Sequence, residues 1–255
     1  MRTTRRIALA GFGAALLLPI GLGSAFAADG DVNANLAPVA LNGVEGSGTA
    51  MVKVEGTTLT VTMAANGLLP DAPHAAHIHL GAEARNECPA ATDDASGDGT
   101  LNTTEGGPAY GGIVVSLTKS GDTSPASGLA VDRYDTAPGG EIAYQRGSIT
   151  VEPAVAQAIV DGKSVVVIHG VDHDHDGAYG GETMSDLDPS LPTEATDPAV
   201  CGVLMAAPTG GVAAGTGSTA GTSGTSTGTM LLGGGLLAAG AGAGALAARR
   251  VRATV

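Results

Sequence analysis

Residues 48–55 and 57–63 alternate apolar and polar side chains on either side of a tight Glu55-Gly56 turn. Side chains of an extended strand point to opposite faces with period two, so this stretch must pair as a β-hairpin that buries one face. The chain has no tryptophan, and both phenylalanines, Phe12 and Phe26, fall within its first 27 residues. The core beyond them must therefore be built from Val, Ile, Leu, Ala and a few Tyr. Such small, often β-branched side chains suit closely packed β layers. Further short runs bounded by Gly, Pro and Asp turns lie at 36–41, 75–80, 113–118, 129–133, 141–145, 164–169 and 202–206, and 151–160, with Pro153 near its first turn, is the one helix expected. The pattern predicts an all-β sandwich or barrel.

The ends of the chain set the compartment. Arg2, Arg5 and Arg6 precede an apolar run, and Ala25-Phe26-Ala27 has the small-x-small form of a secretory cleavage site, so 1–27 reads as a signal peptide. Residues 209–229 have the Gly/Ser/Thr composition of a flexible linker. The uncharged stretch 230–248 would rise about 28 Å as a helix, enough to cross a bilayer. Arg249, Arg250 and Arg252 follow it in 249–255, which the positive-inside rule makes a cytoplasmic tail. The expected product is an exported surface domain, 28–208, held to the membrane by a C-terminal transmembrane helix, with its N-terminus outside.

That domain carries all 25 acidic residues but six of the 12 basic ones, a net charge of −19. Nucleic acid and anionic lipid headgroups are excluded as partners by repulsion. A metal ion is the partner the acidic and imidazole groups suit.

Two histidine clusters nearly a hundred residues apart carry the chemistry: Pro73-HAAHIH-Leu80 and Val165-VVIHGVDHDHD-Gly177. His77 and His79 share a strand face by parity, whereas His74 has the opposite parity. His169 ends a β-branched run, and strand ends are where a sheet can gather ligands from distant sequence. Imidazole suits copper and zinc best. His173 and His175 are possible extra ligands, or solvated loop residues.

Asp94-ASGDGTLNTT-Glu105 carries Asp94, Ser96, Asp98, Gly99 and Glu105 at the first, third, fifth, sixth and twelfth positions of a calcium loop, with the Thr100 carbonyl at the seventh. Asp172-x-Asp174-x-Asp176-Gly177 begins alike but has Thr183 at the twelfth position. In an oxidising compartment Cys88 and Cys201 read as one disulfide, the alternatives being metal ligands or free thiols.

These landmarks carry a resemblance. HAAHIH is similar to the HGFHVH segment of copper/zinc superoxide dismutases, and Cys88 follows His79 at that family's spacing to its disulfide cysteine. Val165-VVIHG resembles the strand bearing the family's later copper ligand, and Val200-CGVLMA resembles its final Cys-Gly-Val-Ile strand. AAHIHLG also resembles the CHRD (chordin-type) repeat of bacterial surface proteins. The resemblance implies a Greek-key β-sandwich or barrel, a copper site of His77, His79 and His169, and a Cys88–Cys201 disulfide.

The chain departs from the family at two places. Asp94 stands where a bridging histidine is expected, and no further histidine follows before His169, so zinc is not expected in its usual dismutase site. Pro198 stands in place of the active-site arginine. Three functions are compatible with this: a copper-binding surface β-domain in copper handling or oxidative-stress protection, an active copper-only superoxide dismutase, and a metal-free structural or adhesive module.

Overall fold

The computed structural model describes residues 28–206. The expected signal peptide, linker, transmembrane helix and tail lie outside the described residues, among which no helix is long and apolar enough to cross a membrane.

The domain is mostly β. Its strands are β1 (Asp29–Pro38), β2 (Ser47–Glu55), β3 (Thr58–Asn66), β4 (Pro73–His74), β5 (Ala76–Leu80), β6 (Gly112–Ser116), β7 (Asp135–Thr136), β8 (Ile142–Thr150), β9 (Ser164–His169) and β10 (Pro198–Ala206). Eight of them form one antiparallel sheet in the order β6-β5-β9-β10-β1-β2-β3-β8, while β4 and β7 pair separately. The expected hairpin is β2–β3, closed where Glu55 faces Thr58, and Gly56 turns the chain at a φ of +62° that a side chain would resist. Its inward residues Ala50, Val52, Val54, Leu59, Val61 and Met63 are buried, as the alternation requires.

The sheet curls on itself. Val61 and Ile142, near one end of the strand order, share a single core cluster with Ile78 and Val115 at the other. The gap between the edge strands is bridged just beyond β6, where Thr118 O accepts from Tyr144 Oη at 3.3 Å and from Arg146 Nη1 at 2.6 Å.

β9 is buried on both faces, so its sequence runs apolar without alternation. Val166 and Ile168 enter the main core, while Val165 and Val167 join a smaller cluster on the opposite face with Val39, Leu101, Tyr110 and Cys201. Each such Val or Ile contributes about 1.5–3 kcal/mol on full burial. The smaller cluster is roofed by α1 (Thr103–Tyr110) and tied down by a Cys88–Cys201 disulfide, with Cα atoms 5.7 Å apart. Asn42 pins this side further: its Nδ2 donates to Leu101 O and Pro198 O at 2.9 and 2.8 Å, and its Oδ1 accepts from Leu101 N at 2.7 Å.

Three expectations are corrected. Residues 129–133 form no strand; Val131–Arg133 is a 3-10 turn. The first strand starts earlier than 36–41, because its alternation continues back through Ala34 and Val32, both buried. The expected helix is present as α2 (Pro153–Val160), but α1 and the short α3 (Thr193–Thr196) accompany it. α1 escapes propensity reasoning because Gly106, Gly107 and Pro108 occupy its interior. Its start is nonetheless marked by a capping box, in which Asn102 Oδ1 accepts from Glu105 N at 2.9 Å and Glu105 Oε2 accepts from Asn102 N at 3.2 Å.

Candidate metal centre

The antiparallel pairing of β5 with β9 builds the site. His77 sits opposite Val167 and His79 opposite Val165, which puts both on the face of β9 that also carries His169, two residues beyond Val167. Ile78 and Ala76, of the other parity, go to the main core. The three histidines are 2–3% exposed, with ring centroids 5.1 to 5.8 Å apart.

Main-chain carbonyls decide which nitrogen of each ring faces the others. His77 Nε2–H points at Gly128 O and Tyr134 Oη, 3.1 and 2.9 Å away. Tyr134 in turn donates to Ser127 O at 2.9 Å. His79 Nδ1–H donates to Gly111 O at 2.9 Å, and His169 Nδ1–H to Thr196 O at 2.6 Å. A carbonyl can only accept, so each contact assigns the proton to that nitrogen and leaves a lone pair on the other. The three remaining atoms, His77 Nδ1, His79 Nε2 and His169 Nε2, have no hydrogen-bond partner, and they account for all but one (Ser164 Oγ) of the orphaned buried side-chain polar atoms among the described residues. One ring nitrogen from each of these histidines lies within 4.8 Å of the other two.

Burial keeps these rings neutral. It lowers the pKa of His77 well below the ordinary value, with His169 and His79 adding to the effect; it pushes His79 down to about 3 and His169 to about 4. Three neutral imidazoles aiming lone pairs at one point repel each other, and a cation that accepts all three relieves the repulsion. The donor set could therefore hold a transition metal.

The other histidines stand apart. His74 is buried with Nδ1 on His169 O at 2.8 Å and Nε2 on Leu69 O at 3.0 Å, a link between β4 and the end of β9. His173 and His175 do not join the triad. His173 Nε2 lies 2.9 Å from Asp197 Oδ2, which raises the histidine's pKa, and His175 lies at a φ of +60° in the loop beyond.

The carboxylates of the 94–105 loop are turned onto its own backbone. Asp94 accepts from Gly97 N and Gly99 N at 2.6 and 3.0 Å, and its Oδ1 from Ser96 Oγ at 3.2 Å. Asp98 accepts from Thr100 N at 2.9 Å, while Glu105, besides capping α1, accepts from Ser96 N at 2.9 Å. Asp172 and Asp174 meet Glu194, from α3, with ligand atoms within 4.8 Å. Glu194 accepts from His173 N and Gly180 N, each at 2.7 Å. Nothing in the local spacing of the Asp172 loop points to Glu194, twenty residues on.

A cavity of about 370 Å³ opens onto the triad. Besides the three histidines, its lining includes Thr103 and Thr196 but no Lys, Arg, Asp or Glu. Pro198, which stands in place of the dismutases' arginine, begins β10 opposite His169.

No family model and no curated protein matches the chain. It is similar to the solved structure of a point mutant of Candida albicans superoxide dismutase 5, at 15% identity and a TM-score of 0.37, over 70% of this chain and 90% of that one. A likeness this distant says nothing of the site.

Proposed function

We propose that residues 28–208 form an exported, membrane-tethered copper-binding β-domain of the dismutase-like or CHRD type, with a Greek-key strand arrangement, acting in surface copper handling or oxidative-stress protection. The observation that carries the metal reading is the convergence of three orphaned imidazole nitrogens whose proton-bearing partners are held by carbonyls. Divalent first-row metals bind nitrogen sites most tightly at copper, and an all-imidazole set disfavours calcium and magnesium. His77, His79 and His169 would be the ligands. Gly128, Gly111 and Thr196 would orient them through main-chain oxygens, as outer partners of ligating histidines do. Bound copper would supply a Lewis-acidic, redox-active centre.

A metal-free adhesive module is disfavoured by the same orphaned nitrogens, which would cost stability with no compensating role. Superoxide dismutase activity is the weaker enzymatic reading, because neither the cavity lining nor a domain of net charge −19 attracts an anion. Metal analysis of the purified protein with electron paramagnetic resonance is the test. One copper per chain with nitrogen hyperfine structure, lost in His77→Ala, is expected; absence of stoichiometric copper overturns the reading.

A further inference from the structure

We infer that the triad serves an uncharged ligand with an apolar body, which lies in the adjoining cavity and presents one donor atom to the metal. The inference rests on the copper reading above and goes beyond it to the class of molecule the site accepts.

Its basis is the wall of the cavity. Ile113, Pro125, Ala126, Leu129, Val131 and Leu187 line it together with the three imidazoles. Leu129 and Leu187 are also among the few large apolar side chains exposed in this domain, at 39% and 48%. Two leucines held half in water beside a buried polar centre cost hydration, and a ligand that covers them recovers it. At about 370 Å³ the cavity falls in the size range of small-molecule sites. A ring or short aliphatic body fits; a diatomic anion would leave most of the wall wet.

Charge argues the same way. Without a lysine or arginine in the lining, an anion entering the cavity would exchange its water shell for leucine and valine, with only the metal to compensate. The 3-10 turn Val131–Arg133 supplies part of this wall, and its Arg133 is turned away to Asp122 O and to the Ser127 hydroxyl. The basic group nearest in sequence to the wall is thereby committed to holding the loop.

The test compares three probes on copper-loaded protein by optical and paramagnetic titration: imidazole, phenylimidazole and azide. A small three-nitrogen copper chelate in water is the reference for each. Burying the phenyl ring against the leucines should make phenylimidazole bind roughly 30-fold tighter than imidazole, relative to the chelate. Leu129→Ser and Leu187→Ser, both at exposed positions, should each reduce that preference several-fold, with copper content measured alongside. A phenyl preference below about threefold, or azide bound more tightly than by the chelate, overturns the inference while leaving the copper reading intact. Failure to take up copper sinks both.

Discussion

Acidification of the metal-free protein should destabilise it far more than surface titration would. The three triad imidazoles are neutral and buried, with His79 and His169 at about 3 and 4 and His77 also well below the ordinary value, whereas in the unfolded chain each returns to about 6.5. Below that value the unfolded state binds more protons than the folded one, so their contribution is complete above about pH 6.5 and is lost as pH falls toward the folded pKa values. At about pH 5 the folded His79 and His169 rings are still neutral, so the loss is set by the unfolded chain alone, about 2 kcal/mol per histidine and about 4 kcal/mol for the two, with His77 adding in the same direction. A domain of this size has about 5–15 kcal/mol in all. Urea unfolding of chelator-treated protein at about pH 7.5 and pH 5 measures the difference directly. Comparison with a His79→Phe/His169→Leu double variant isolates it, because His74 and His173 titrate in both proteins. The variant should lose about 4 kcal/mol of the pH dependence, while at neutral pH the lost donors to Gly111 O and Thr196 O oppose the relief of the converging lone pairs. Equal pH dependence in the two proteins would refute the claim that these imidazoles are buried neutral bases.

Other perturbations probe the surrounding framework. Asn42→Ala orphans both backbone groups of Leu101 and the Pro198 carbonyl, and should cost about 2–4 kcal/mol in urea unfolding. Asn102→Ala removes one half of the capping box of α1 and should cost about 1 kcal/mol, with the loss of helicity confined to that turn in hydrogen exchange. Replacing both cysteines by serine opens a loop with a sequence separation of 113 and should lower stability by about 2–5 kcal/mol, with little change in copper stoichiometry. Tyr134→Phe leaves Gly128 O as the partner of His77 Nε2, so copper affinity measured by competition should fall by no more than about tenfold.

The parts of the fold that repeat with a fixed period were legible in the sequence. Alternation identified β2 and β3, parity put His77 and His79 on one face, and the β-branched run ending at His169 marked β9 as a strand. Irregular parts were not. The run at 129–133 has strand-like composition, but Ala130 N donates to Ser127 O and Arg133 N to Ala130 O, at 3.0 and 2.9 Å, which closes it into successive turns. In α1, Gly106 is demanded by the ring of Tyr110 lying against it, so packing chose a residue that propensity counts against a helix. The capping box of Asn102 and Glu105 went unread, because Glu105 was placed only as the twelfth position of a calcium loop; in the structure the same carboxylate caps α1. Asn42 and Glu194 carry no local signal, because their partners lie 59 to 156 and 14 to 21 residues away.

The main-chain oxygens that orient the triad belong to Gly111, Gly128 and Thr196, in three separate connections between strands, and the Tyr134 hydroxyl is the one side-chain oxygen beside them. A descendant of this chain could keep all three histidines and still surrender its affinity for copper, through a single insertion that rotates one peptide plane. It could equally exchange most of the residues in those connections and keep the ion. Tallying retained histidines among related sequences would therefore misjudge which of them hold metal; the lengths of the three connections are the better guide.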